Sequence, residues 1–141
     1  GIMLLWSGIA QLMKRWEIDY LLGCASVPCR DDGQLVHTLM SSLRTKYLSP
    51  VGLRAEPRVP VVTPMGSEVD GAIMPPLLKA YLRLGAWICG EPSLDEEFGV
   101  ADLMVLLDMR ELNHRYFRHF LGRESKVADQ VGKPQEVAIT A

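Results

Sequence analysis

The stretch Pro75–Leu107, PPLLKAYLRLGAWICGEPSLDEEFGVADLMVLL, decides the fold. Pro75-Pro76 suits the entry and first turn of a helix, where a missing N–H is one the helix leaves unpaired in any case. Leu77, Leu78, Tyr81 and Leu82 follow at helical spacing, and Gly85 stands where a left-handed C-terminal cap is expected. Lys79 and Arg83, four apart, share a second face of that helix. Trp87, Ile88 and Cys89 read as a short extended segment and Gly90-Glu91-Pro92 as a turn. Gly99 to Leu107 reads as a buried strand carrying one acid, Asp102, among Val, Ala, Leu and Met.

Working outward toward the N-terminus, Leu5, Ile9, Leu12, Met13 and Trp16 recur on one helical face and predict a helix from about Ile2 to Trp16. Ile18 to Ser26 is a nearly continuous apolar run, too short for a buried helix, and predicts a strand ending at Val27-Pro28. A helix feeding directly into a buried strand points to an α/β fold. Pro28 to Gly33 is a turn cluster in which Asp31 or Asp32 caps the next helix. That helix takes its apolar face from Val36, Leu39, Met40, Leu43 and Tyr47, and ends before Ser49-Pro50.

From Val51 to Ile73 the periodicity breaks, with prolines at 57, 60 and 64 and glycines at 52, 66 and 71. Short edge strands around Leu53-Arg54 and Val59 to Val62 fit there, because proline is tolerated at a sheet edge. A connection this long reads either as a binding loop or as an idle insertion. Beyond Leu107, Asp108 and Glu111 form a D-x-x-E capping box for a last helix. Leu112, Tyr116 and Phe120 give it an apolar face, and Arg115, Arg118 and His119 a basic one. Residues 122–141 lose periodicity and read as a disordered tail after a single domain spanning 1–121.

With 141 residues, 48% hydrophobic and 23% charged, the chain can build one real core. A formal charge of −2 supplies no basic footprint, which argues against nucleic acid as a partner. No run approaches the roughly 18 apolar residues of a membrane span, and the start lacks the features of a signal peptide. The expectation is a cytoplasmic protein. Cys24, Cys29 and Cys89 form neither a C-x-x-C pair nor an even set, so neither a disulfide framework nor a metal site is expected. Gly1 is not an initiator Met, and the first helical pattern begins without a capping residue, so the chain reads as a fragment.

Four phrases carry a resemblance: LLWSGI (Leu4 to Ile9), IDYLLGCAS (Ile18 to Ser26), PPLLKAYLRLGAWICGEP (Pro75 to Pro92) and RYFRHFL (Arg115 to Leu121). In them the chain resembles the C-terminal half of the L-ornithine N-acyltransferases that begin ornithine-lipid synthesis. These form a hemolysin-like branch of the GNAT superfamily, related in fold to the acyl-homoserine-lactone synthases. The resemblance implies an α/β, GNAT-like (autoinducer-synthase-like) mixed sheet with flanking helices, its N-terminal half missing. It implies transfer of a (3-hydroxy)fatty acyl group to the α-amine of ornithine. The donor would be acyl carrier protein with its phosphopantetheine thioester, and no cofactor would stay bound. A peripheral contact with the inner membrane, which receives the product, goes with that chemistry; the Arg/His face of the last helix is a candidate for it or for the acidic carrier.

By the same resemblance Gly1 is the last glycine of a phosphate-binding turn. The strand Tyr20 to Ser26 borders a splayed gap that holds the thioester. Its end, Cys24-Ala25-Ser26, faces the donor, with Ser26 stabilising the leaving thiolate. The plainer reading makes Cys24 a small buried hydrophobe and Ser26 a strand-end residue. A cysteine nucleophile at Cys24 is the sharper rival, and needs a histidine oriented by an acid; His37 is the nearest in sequence.

Lys79 and Arg83 read as a phosphate or carboxylate clamp or as a solvated face. Glu91 lies at a turn near the strand of Asp102 and is a candidate substrate contact. Asp102, if it points into a packed face, must be paired, with Lys79, Arg83 or the substrate amine. It is either a structural ion-pair member or part of the amine site or its base. A non-catalytic acyl-carrier or lipid-binding remnant of the same fold is the alternative from another functional class.

Overall fold

The computed structural model describes residues 2–30, 32–62, 74–113 and 115, with side chains from Gly8 onward. They fall into two compact units, one holding residues 2–18 and Arg115, the other the described residues of Asp19–Asn113. In the first unit, α1 runs Ile2–Arg15. Its C-terminus is closed by Trp16 N–H to Leu12 O and Ile18 N–H to Met13 O, at 2.9 and 3.0 Å. On the expected apolar face Met13 is buried, whereas Leu12 and Trp16 are exposed. Of the residues expected to form the last helix, Asp108 to Asn113 and the exposed Arg115 are described; the rest of that helix and the tail lie outside the described residues.

The second unit holds β1 (Tyr20–Pro28), α2 (Gln34–Lys46), a 3-10 turn (Val51–Leu53), α3 (Pro76–Leu84), β2 (Trp87–Ile88), β3 (Ser93–Asp95) and β4 (Val100–Asp108). The α/β expectation holds, with an antiparallel four-stranded sheet and helices in an arrangement compatible with a GNAT-like fold. Among the described residues the parallel component is confined to the bridge Leu48–Ile88. β4 is central: β1 pairs along its whole length on one side, while β2 and β3 share the other. α2 lies against β1 and α3 against β4.

Alternation sorts the side chains. Ala25 and Val27 on β1 share a buried face with Ala101, Leu103, Val105 and Leu107 on β4. The other face carries Leu22, Cys24 and Ser26 beside Leu106, Met104 and Asp102. At its Asp102–Met104 end this second face is open, with Cys24 and Ser26 exposed and Met104 37% accessible. Burial of one face and exposure of the other is what pins a strand register, because a one-residue slip would exchange them.

α3 behaves as its sequence predicts. Pro76 opens it, and Gly85 closes it at φ 100°, its N–H bonding to the carbonyls of Leu82 and Tyr81. α2 differs. Gly33 occupies the N-cap position and offers no side chain, and no side chain caps the helix there. Asp32 sits at φ 53°, the left-handed region, instead of the extended conformation from which an aspartate reaches the first-turn amides; Asp31 lies outside the described residues. Asp108 likewise starts no helix. It ends β4, its Oδ1 accepting the Arg110 amide at 2.9 Å, and the chain turns there with Glu111 N–H bonded to Asp108 O. The carboxylate competes for a turn amide two residues on and so forms an Asx-type turn.

The region after Val51 forms a 3-10 turn and a bridge between Pro60 and Ser93 in place of the two expected edge strands. Residues 63–73 lie outside the described set. Between β2 and β3 the register against β4 changes, because Ile88 faces Val105 while Ser93 faces Asp102. Five steps of one strand therefore span three of the other, and Gly90-Glu91-Pro92 absorbs the excess as a bulge. Gly90 has φ 134°, and a Cβ there would meet Ala55 O at 2.3 Å. Ala55 N–H in turn bonds to Cys89 O.

Two charged clusters brace this unit. Arg44 Nε and Nη2 donate to the two Glu91 oxygens at 2.8 and 2.7 Å, joining α2 to the bulge. The Arg44 hydrogen bond holds the Glu91 carboxyl below the usual carboxylate range, against an opposing push from burial. At the far end of the sheet, Arg110 donates to both oxygens of the buried Asp108 and to the Tyr20 hydroxyl, with its guanidinium 5.0 Å from the Tyr20 ring centre. Tyr20 and Asp108 are themselves cross-strand partners. Hydrogen bonding from Arg110 holds Asp108 low as well.

Gly90→Ala should lower stability by upwards of about 2 kcal/mol, since both the left-handed backbone and the Ala55 carbonyl oppose a side chain. Gly23→Ala, whose Cβ meets nothing within 4 Å, should stay within about 0.5 kcal/mol; denaturant unfolding of the two variants checks the contrast. A depressed carboxyl contributes stability above its unfolded pKa and loses it as pH falls through the folded value. Arg44→Met should therefore be about 0.5–1 kcal/mol less stable than the wild type near neutrality, as befits an exposed bidentate pair. That difference should close as the pH falls through the lowered Glu91 value, as read by thermal unfolding across pH.

Candidate functional site on the open face of the sheet

The open face brings two of the expected residues into contact. Ser26 and Asp102 are direct cross-strand partners, and Ser26 Oγ donates to Asp102 Oδ1 at 2.6 Å. That length is typical of a hydroxyl bonded to an ionised carboxylate. On the other side of Asp102, β3 places Ser93 as its partner, and the Ser93 hydroxyl turns toward Val59 O at 3.5 Å. Three polar side chains thus form one row across three strands. Ser26 is exposed and Asp102 half-buried.

The expected ion pair from Asp102 to Lys79 or Arg83 is not among those of the described residues. Both basic residues are exposed on α3. Asp102 does not face the packed side of the sheet, so a hydroxyl and solvent suffice where a buried carboxylate would demand a cation. Glu91 does not stand free either, since Arg44 occupies both of its oxygens.

Cys24 is exposed opposite Met104 and is therefore not the small buried hydrophobe of the plainer reading. Ala25 is buried, opposite Leu103 on the reverse face, so only its backbone is available to a ligand on the open side. Gly1 lies outside the described residues. β1 pairs with β4 throughout, and no described strand flanks its other edge, so a splayed neighbour is not among the described residues. His37 has a buried Nδ1 without a hydrogen-bond partner, so no acid orients it as a base for Cys24. Cys89 is buried, and desolvation pushes its thiol up, which leaves it an inert core group. Among the described residues no cluster of His, Cys, Asp or Glu is placed to hold a metal ion, and no helix is long and apolar enough to cross a membrane.

Sequence reasoning missed the Ser26–Asp102 bond, Ser93, and the Arg44–Glu91 and Tyr20–Asp108–Arg110 clusters. Only the last had a local signal, the D-x-R spacing at a strand end. Chemically, a serine hydroxyl committed to a carboxylate keeps its lone pairs outward as acceptors, and the carboxylate retains acceptor capacity. Such a pair suits a ligand that donates hydrogen bonds, above all an amine.

No family model matches the chain, and no solved structure matches it. Curated proteins do. The L-ornithine N(alpha)-acyltransferase of Rhodobacter capsulatus is 31% identical over 129 residues, covering 87% of this chain and 49% of that protein. That of Brucella abortus is 32% identical over 132 residues, covering 84% and 45%. That of Agrobacterium fabrum is 25% identical over 133 residues, covering 89% and 45%. The chain spans about half the length of the curated relatives it matches. Over most of its own residues, then, the chain is similar to part of the L-ornithine N(alpha)-acyltransferases of these bacteria.

Proposed function

We propose that the protein is an N-acyltransferase of the GNAT type that moves a (3-hydroxy)fatty acyl group from acyl carrier protein to the α-amine of ornithine. The observation that carries this reading is the similarity to ornithine acyltransferases along most of the chain, combined with a hydrogen-bonded Ser26–Asp102 pair on an open strand face. Amide formation from a thioester needs a neutral amine, a path for its proton, and a proton for the departing thiolate. No covalent enzyme intermediate is required.

In this reading the amine approaches Ser26, which is hydrogen-bonded to Asp102, and the thioester lies along the end of β1 at Cys24 and Ala25. Lys79 and Arg83, four apart and exposed, take the substrate carboxylate or the donor's phosphate. Glu91 contributes by holding the bulge in place through Arg44, and so acts on the site indirectly. The reaction would take place on the cytoplasmic side of the inner membrane, with lyso-ornithine lipid as the product.

Expression of the full-length protein in a bacterium that makes no ornithine lipid should produce lyso-ornithine lipid, detected by mass spectrometry of the membrane fraction. Binding of acyl carrier protein without any acylated ornithine would replace the enzyme reading with that of a non-catalytic carrier-binding module. Cys24→Ala should keep most of the activity. Complete loss in a folded Cys24→Ala protein would mean that an acyl group passes through the thiol.

A further inference from the structure

Taken singly, Ser26 is a stabiliser of the leaving thiolate and Asp102 an amine contact or base. Their geometry points to something more specific, resting on the acyl-transfer reading above. We infer that Ser26 and Asp102 act as one proton relay in which Ser26 touches the reacting atoms and Asp102 works only through Ser26.

The observations fix the order of the relay. The Ser26 proton already points at Asp102 Oδ1 across 2.6 Å, so this hydroxyl does not begin as a free acid. What it offers to a ligand is acceptor lone pairs. Ser26 is the more exposed of the two, on strand β1, while Asp102 is half-buried on the central strand between Ser26 and Ser93. No described cation pairs with Asp102, so its negative charge remains available to receive a proton. Cross-strand register sets the separation of the two side chains, and a stiff ladder keeps them in bonding range without a flexible loop.

The steps balance. The neutral amine nitrogen attacks the thioester carbonyl carbon, forming the C–N bond and leaving a proton in excess on nitrogen. That proton passes to Ser26 Oγ while the Ser26 proton moves to Asp102 Oδ1. Collapse of the tetrahedral centre breaks the C–S bond, and the proton on Asp102 returns through Ser26 to the thiolate sulfur. Amide and thiol are released, and the pair is restored. Ser26 thus serves first as acceptor and then as donor, and Asp102 is a positioning and proton-storing residue that never contacts the substrate.

The test is a double-mutant cycle in the full-length protein, using Ser26→Ala, Asp102→Asn and the combination, with Ser26→Thr as the conservative variant. Asp102→Asn keeps the shape and accepts the Ser26 bond but cannot store a proton. Each single change should lower kcat by about 10- to 100-fold, the usual range for lost acid–base assistance. KM for ornithine should move by no more than about threefold, and the double variant should be no slower than the slower single. Ser26→Thr should recover most of kcat. Losses in the double variant that multiply would show two independent residues and overturn the relay. So would a lowered melting temperature with kcat unchanged in all variants, which would make the bond a strand tie alone. A wild-type protein that forms no acyl-ornithine would overturn the functional reading itself, and the relay with it.

Discussion

Nine residues of β1 are paired with nine of β4, and the remaining features of the Asp19–Asn113 unit depend on that ladder. Its register is held by the burial of Ala25, Val27, Ala101 and Leu103 on one face. Period two then leaves Ser26 and Asp102 no choice but to meet on the other. A slip of β1 by one residue would turn Ser26 into the core and expose Ala25 and Val27, at a cost no local preference could offset. The candidate site is therefore a consequence of packing on the opposite side of the same two strands.

The second edge of β4 is organised differently. A continuous partner strand would carry one register from Trp87 to Asp95, yet two extra residues are stored in the Gly90–Pro92 bulge. The bulge survives because Gly90 lets its backbone approach Ala55 O and because Arg44 on α2 grips Glu91 with two hydrogen bonds. Its effect is to bring Ser93 beside Asp102. Asp102 is thereby flanked on both sides by small hydroxyl side chains, which leave room for a ligand.

At the other end of the same strands, Tyr20, Asp108 and Arg110 form a closed cluster in which the buried carboxylate is satisfied by guanidinium and backbone donors. The two acids of β4 thus have opposite fates. Asp108 is buried and saturated, and serves the fold. Asp102 is half-open with one hydroxyl partner and no described cation, and is free to serve chemistry. Residue type does not separate them; accessibility and partners do.

Much of the fold was legible in the residues themselves. Pro75-Pro76 and Gly85 bounded α3, and alternating or continuous apolar runs marked β1 and β4. The short-range rules behind these readings act within a turn or two of chain. Asp102 stood out as an acid among apolar residues of its strand, and Ser26 through the resemblance of its stretch to the ornithine acyltransferases. What the residues could not say was who meets whom. By charge Lys79 and Arg83 are natural partners for Asp102, and by type Asp32 and Asp108 are natural helix caps. Strand register across 76 positions of sequence gave Asp102 a serine instead. Backbone dihedrals at Asp32 and a strand end at Asp108 put those two carboxylates to other uses. The sequence by itself determined α1, α2, α3, β1 and β4, because propensity and periodicity are local. Only the tertiary structure decided the pairings, because a contact between distant residues depends on register, and register is set by the burial of side chains on the other face of the sheet.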